Sequence, residues 1–144
     1  MIFQAISNYS SASSYTYQHR EVERIEVDRM LQEGVIEPAT SEWASPVVLI
    51  TKPDGSVRFC VDYRKLNALT FKDSYPLPRM DECLDSLGDA TMFSTLDCNS
   101  GYWQILMKEE DQNKTAFVTH CGVHRFKRMP FGLCNAPATF QRAL

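Results

Sequence analysis

The chain has 144 residues, enough for one domain with its own core, and its 44% hydrophobic and 23% charged content is that of a globular protein. Its net charge of −3 argues against a surface coated for polyanions, and the longest aliphatic run, Val47-Val48-Leu49-Ile50, falls far short of the ~20 residues of a membrane span. The charge is unevenly spread: seven acids face three arginines between Arg20 and Glu42, whereas Lys114, Arg125, Lys127, Arg128 and Arg142 stand without an acid from Asn113 to Leu144, where a polyanion is expected to be met.

Residues 1–19 read as a disordered leader, rich in Ser and Tyr from Ser7 to Tyr17, with neither the basic start nor the apolar block of a secretory signal. Residues 20–33 read as an amphipathic helix, with Val22, Ile25, Met30 and Leu31 near helical spacing and Gly34 as its stop. Two β-rich runs, Val47 to Lys52 and Val57 to Val61, flank Pro53-Asp54-Gly55-Ser56 and predict a hairpin in which Gly55 supplies the left-handed conformation. The connection that follows ends in Tyr75-Pro76-Leu77-Pro78, where two prolines forbid regular structure.

Residues 79–87 read as a short helix with Met80, Cys83, Leu84 and Leu87 on one face. Met92 to Asp97 reads as a buried strand with an acid at its tip, and Tyr102 to Met107 as a second apolar run after Asn99-Ser100-Gly101. Thr115–Thr119 and His124–Met129 read as strands joined by a plain turn over His120 to Val123, and Asn135 with Pro137 begins a last helix whose Ala138, Phe140 and Leu144 want a partner. Short turns between strands imply an α+β fold with mostly antiparallel pairing.

Five cysteines without a C-x-x-C pair, each beside an apolar stretch, read as small buried thiols in a reducing, intracellular compartment. His120, Cys121 and His124 lack the second ligand pair of a zinc site.

Several residues are candidates for chemistry. Asp97 closes an apolar run where an acid is costly without a partner; it is read equally well as a turn-capping acid or as a ligand for a hard cation such as Mg²⁺, although one carboxylate cannot organise a two-metal centre. Lys52 and Arg58 flank the hairpin tip, suited either to phosphate oxygens or to protecting a solvated edge. Tyr63, Arg64, Lys65, Phe71, Lys72 and Tyr75 interleave aromatic and basic residues, as a surface tracking a nucleic-acid strand does, and 124–128 do so too, unless that segment is a half-buried strand. Trp103 reads as core, and Tyr102 as a ring able to stack on a sugar or base.

In order, Leu31-Gln32-Glu33-Gly34-Val35-Ile36-Glu37-Pro38, Ser45-Pro46-Val47-Val48-Leu49-Ile50-Thr51-Lys52-Pro53-Asp54-Gly55, Arg58-Phe59-Cys60-Val61-Asp62-Tyr63-Arg64-Lys65-Leu66-Asn67, Tyr75-Pro76-Leu77-Pro78-Arg79, Phe93-Ser94-Thr95-Leu96-Asp97, Ser100-Gly101-Tyr102-Trp103-Gln104-Ile105 and the run Pro130 to Gln141 resemble the reverse transcriptases of gypsy-type LTR retrotransposons and their retroviral relatives. The resemblance runs collinearly from about Glu21 to Leu144 and implies one domain over 20–144, the fingers and partial palm of a right-hand polymerase. It implies that Lys52 and Arg58 contact the phosphates of an incoming nucleotide and that Asp97 is the first of three metal-binding aspartates. Cys98 would offer its carbonyl to one of two Mg²⁺ ions. Tyr102 would lie under the sugar and exclude a 2′-hydroxyl, and Phe131 and Gly132 would line the nucleotide and template pocket.

The implied partners are an RNA or DNA template-primer and deoxynucleotides, with the missing palm and thumb supplied by a parent polyprotein, and the implied location is cytoplasmic and particle-associated. No Tyr-x-Asp-Asp motif occurs in the sequence, so the chain alone is expected to be inactive. The competing readings are a non-catalytic nucleic-acid-binding module and a transposon remnant that does not fold stably.

Overall fold

The computed structural model describes residues 17–144. A five-stranded sheet holds them together: β1 (Ile36–Pro38), β2 (Ser45–Thr51), β3 (Val57–Val61), β4 (Phe117–Thr119) and β5 (Gly122–Phe126), in the order β1-β5-β4-β2-β3. All pairings are antiparallel except β2 with β4, which run parallel over Ser45↔Phe117 and Pro46↔Val118. The helices are α1 (Tyr17–Gln32), α2 (Arg64–Leu69), α3 (Met80–Asp85), α4 (Glu109–Gln112) and α5 (Ala136–Ala143), with 3₁₀ turns at Gly101–Gln104 and Asn113–Thr115.

Helix α1 starts inside the stretch expected as a leader, of which residues 1–16 lie outside the described residues. Its buried stripe is Glu23, Val27 and Met30, while Ile25, placed inward by the sequence reading, is 53% exposed. The spacing 23, 27, 30 is helical, but its first member is an acid and so escaped a search for apolar residues. Glu23 Oε2 accepts from His120 Nδ1 at 2.6 Å, tying α1 to the β4–β5 turn, whereas its buried Oε1 has no partner among the described residues.

The core centres on Phe117, fully buried among Phe59, Phe126 and His124, with ring centroids 5.8, 5.2 and 5.9 Å away. Burying such a ring contributes on the order of 2–3 kcal/mol. Tyr63 belongs to this core rather than to a nucleic-acid surface: it is 2% exposed, its hydroxyl donates to Thr115 O at 2.7 Å, and burial drives its phenol pKa well up. In β5, His124 and Phe126 are buried while Arg125 is half-buried, so 124–126 form the half-buried strand of the two alternatives.

The expected strand Met92–Asp97 does not form. The segment has no regular structure and is exposed, Leu96 at 97% and Phe93 at 61%. A strand exists only beside a partner that takes its backbone hydrogen bonds, and no described strand lies alongside. The face of α3 is likewise uncovered, with Met80 81% and Leu84 62% exposed. Of the five cysteines expected to be buried, Cys83, Cys98 and Cys121 are exposed; all five are free thiols.

Candidate active site

The hairpin has the turn that its sequence requires. Gly55 adopts φ +82°, its N–H donates to Lys52 O at 2.9 Å, and Asp54 Oδ1 accepts from the Ser56 amide and hydroxyl at 2.9 and 2.6 Å. Those bonds, the hydroxyl first, hold the Asp54 carboxyl below its usual range. The register sets Leu49 opposite Phe59 and Ile50 opposite Arg58, and Lys52 N donates to Ser56 O at 2.7 Å. Side chains alternate along strands, so Lys52 and Arg58 share the face opposite Leu49 and Phe59, diagonal to one another and both exposed. Two cations therefore stand together near the tip on one side of the ribbon.

The base of this hairpin meets a second element. Gly132, at φ +95°, sits where an added Cβ would lie 3.5 Å from Tyr63 Cδ2 and 3.6 Å from Val61 O. The loop around it is held by one residue of α2: Asn67 Nδ2 donates to Gly132 O at 2.8 Å and Asn67 Oδ1 accepts from Cys134 N at 2.9 Å. Asn67 was not singled out from sequence; nothing local in Arg64–Leu69 announces a partner 65 residues away.

Phe131 leaves this loop beside Tyr102, with ring centroids 5.0 Å apart. Tyr102 also meets Phe140 of α5 edge-on at 5.4 Å, and Trp103 approaches Phe131 at 6.1 Å. The partner that α5 wants for Phe140 is thus Tyr102, although Leu144 remains 78% exposed. Gly101 permits the approach, since a Cβ there would lie 2.9 Å from Phe140 Cζ. Trp103 packs against the core as expected, but its buried indole N–H has no acceptor among the described residues.

Of the candidate residues, Tyr102, Phe131 and Gly132 are brought together, and Lys52 and Arg58 share one face. Asp97 and Cys98 are exposed and lie just before the ring cluster, in the segment without regular structure. Among the described residues no three His, Cys, Asp or Glu side chains are grouped to hold a metal ion. A two-metal centre takes several acids, so the residues present do not fit one.

The basic final third is not a free cationic surface. Lys114 pairs with Asp111 at 2.5 Å, Arg125 Nε with Glu37 at 2.7 Å and Arg142 with Asp73 at 2.6 Å, and Lys127 lies 4.0 Å from Glu37. The Arg142 guanidinium also covers the Tyr75 ring at 4.7 Å and, together with the Tyr75 amide, holds the Asp73 carboxyl below its usual range.

Compared with known proteins, residues 50–144 match the family described as "Reverse transcriptase (RNA-dependent DNA polymerase)". The chain is 47% identical over 141 residues to the retrovirus-related Pol polyprotein from transposon opus of Drosophila melanogaster, across 92% of this chain and 14% of that polyprotein. It is 51% identical over 85 residues to an RNA-directed DNA polymerase homolog of Oenothera berteroana, across 59% of this chain and 60% of that protein. The crystal structure of the prototype foamy virus protease-reverse transcriptase (CSH mutant) superposes with a TM-score of 0.73 at 28% identity, over 91% of this chain and 18% of that one. The foamy viral protein in complex with an RNA/DNA hybrid gives a TM-score of 0.73 at 26% identity, again over 91% of this chain and 18% of that one. The chain spans about a seventh of the transposon polyprotein. With its mixed α+β fold and five-stranded, mostly antiparallel sheet, it belongs to the reverse transcriptase family.

Proposed function

We propose that the chain is the nucleotide-gripping part, fingers and partial palm over 20–144, of an RNA-directed DNA polymerase that extends a primer on an RNA or DNA template. The observation that carries this reading is the contact of Tyr102 with Phe131, held by the Asn67 clamp on Gly132 against the base of the hairpin that bears Lys52 and Arg58. A sugar resting on Tyr102 has a planar wall beneath it, and a half-buried ring with Phe131 and Phe140 against it cannot retreat to admit a 2′-hydroxyl. Lys52 and Arg58 offer charge-assisted hydrogen bonds to phosphate oxygens, Arg58 in bidentate fashion. Such preorganised cations stabilise negative charge that builds up during phosphoryl transfer.

Asp97 is assigned as one carboxylate of a magnesium site, with the Cys98 carbonyl beside it. In an intact polymerase that supplies further carboxylates, Asp97 would be one of the residues holding Mg²⁺, whose chemistry there would be stabilisation of negative charge during phosphoryl transfer. Asp97 alone does not assemble that site, so the 144-residue chain by itself is expected to bind metal weakly and to incorporate no nucleotide. Cytoplasmic, particle-associated action as part of a polyprotein belongs to the same proposal.

The test is a primer-extension assay on the purified chain with template-primer, Mg²⁺ and deoxynucleotides, run beside equilibrium binding of a deoxynucleoside triphosphate. Incorporation above background would overturn the expected inactivity. The K52A/R58A double substitution is expected to weaken triphosphate binding about tenfold or more, since charge-assisted bonds of ~1.5–3 kcal/mol each are lost. Unchanged affinity would sink the assignment of the hairpin.

A further inference from the structure

Nine arginines lie among the described residues, and six hold a carboxylate within 4.0 Å: Arg24, Arg29, Arg64, Arg79, Arg125 and Arg142. Arg20 and Arg58 do not, but both are exposed, where water serves them. Arg128 is half-buried and also lacks a carboxylate; among the described residues its guanidinium makes one hydrogen bond, a 3.4 Å contact from Nη1 to Gln104 O. A guanidinium carries five donors; with one long bond made, and none of its other nitrogens sealed from solvent, Arg128 keeps donors open to a ligand entering beside it.

Arg128 lines a cavity of about 510 Å³ between α1 and the 3₁₀ turn at Gly101–Gln104, together with Arg29, Glu33, Asn99, Ser100 and Trp103. Arg29 lies over the Trp103 ring at 5.2 Å and pairs with Glu26 at 2.8 Å and Glu33 at 3.3 Å, so its charge is already matched. Two guanidinium groups and one carboxylate give this lining a formal charge of +1. The Asn99 amide and the Ser100 hydroxyl add neutral donors; the hydroxyl makes only a 3.5 Å contact with Asn99 Oδ1. Ser100 holds this position in the left-handed region, φ 49° and ψ 51°, which side-chain-bearing residues rarely adopt.

We infer that this cavity binds a phosphate group through Arg128, with Asn99 and Ser100 as further donors. The choice of phosphate among anions rests on the proposed function, because a chain that handles nucleotides and nucleic-acid strands meets that group most. The guanidinium fork suits two phosphate oxygens at once, and Glu33 on the rim opposes the ligand. The phosphate comes either from a nucleic-acid strand or from a free phosphate compound; the chemistry is shared.

The test uses the 144-residue chain with W43F, which leaves Trp103 as the reporter of the cavity. Titration with inorganic phosphate is expected to change Trp103 emission saturably. R128A is expected to weaken that binding about tenfold or more and R128K to restore part of it, while E33Q tightens it roughly two- to fivefold by removing a like charge. Circular dichroism checks that the variants fold; if R128A does not, E33Q and R128K still decide. No saturable change, or phosphate affinity indifferent to both Arg128 and Glu33, overturns the inference.

A second arm measures binding of an RNA/DNA hybrid against salt. A strand phosphate in the cavity lowers the slope of log K against log salt by about 1 in R128A, and an unchanged slope with intact phosphate binding assigns the site to a free phosphate compound. A chain that takes up phosphate but no hybrid and no triphosphate would fail the proposed function while leaving the cavity assignment standing.

Discussion

The buried carboxylate of Glu23 makes a prediction that runs against intuition about ion pairs. Glu23 is 2% exposed; Oε2 is bonded to His120 Nδ1 at 2.6 Å, and Oε1 has no partner among the described residues. His120 is its one side-chain hydrogen-bond partner among the described residues, and the His120 side chain is 35% exposed. Deleting one partner of a buried pair leaves a charge uncompensated and costs about 3–5 kcal/mol, whereas replacing the pair with apolar side chains is often neutral or better. Water reaches this pair from the His120 side, so H120A is expected to cost less, about 2–3 kcal/mol. In a chain of 144 residues that lowers Tm by roughly 6–15 °C. E23L instead removes the orphaned oxygen and sets an apolar group beside Val27, and it should stay within about 1 kcal/mol of the parent. E23L/H120A should then recover most of what H120A loses. Thermal and urea unfolding of the four proteins measures this cycle. If E23L proves the more damaging single change, or the double variant is no better than H120A, the reasoning about the orphaned carboxylate is wrong.

Two further outcomes follow from the same fold. His124 is buried with Nδ1 unpartnered among the described residues, and burial pushes its imidazole pKa down; a histidine held neutral in the fold contributes stability above its unfolded value of 6.5 that is lost as pH falls below it. Urea unfolding between pH 7.5 and 5 should therefore show an acid loss that H124F reduces, and an identical loss in both proteins would refute the assignment. N67A removes both bonds to the 132–134 loop and should cost about 1–3 kcal/mol; hydrogen exchange at the Cys134 amide should accelerate, and unchanged protection there would show that the loop is held by something else.

The parts of the fold visible in sequence are those whose determinants are local. Pro53-Asp54-Gly55-Ser56 specifies its turn within four residues, and Asn135 with Pro137 marks the start of α5, so both were readable. Strand β1 went unseen because Ile36–Pro38 has three residues and exists only through pairing with β5, some ninety positions on. Met92–Asp97 failed the other way: its apolar run has the composition of a strand, but composition supplies no neighbour to hydrogen-bond with. The site divides likewise. Collinear motifs pick out Lys52, Arg58, Tyr102, Phe131 and Gly132, while the role of Asn67, which bonds Gly132 and the Cys134 amide, is not visible in its charged helix.

Charge shows the same division, and it bears on what the surface can do. Read along the chain, the cations after Asn113 look like a strip for a polyanion. In space their acids arrive from elsewhere: Glu37 from β1 to Arg125, Asp73 from beyond α2 to Arg142, and Asp111 from α4 to Lys114. Exposed pairs of this kind add at most about 1 kcal/mol apiece to stability, yet each removes a cation from those available to a phosphate backbone. A reading of this chain as a nucleic-acid module driven by its basic end thus loses most of its charges. Among the described residues the cations with no carboxylate within 4.0 Å are Arg20, Lys52, Arg58, Lys65, Lys72, Lys108 and Arg128; of these, Lys52 and Arg58 share one face of the hairpin and Arg128 lines a cavity, so it is placement and not bare charge that marks them for phosphate.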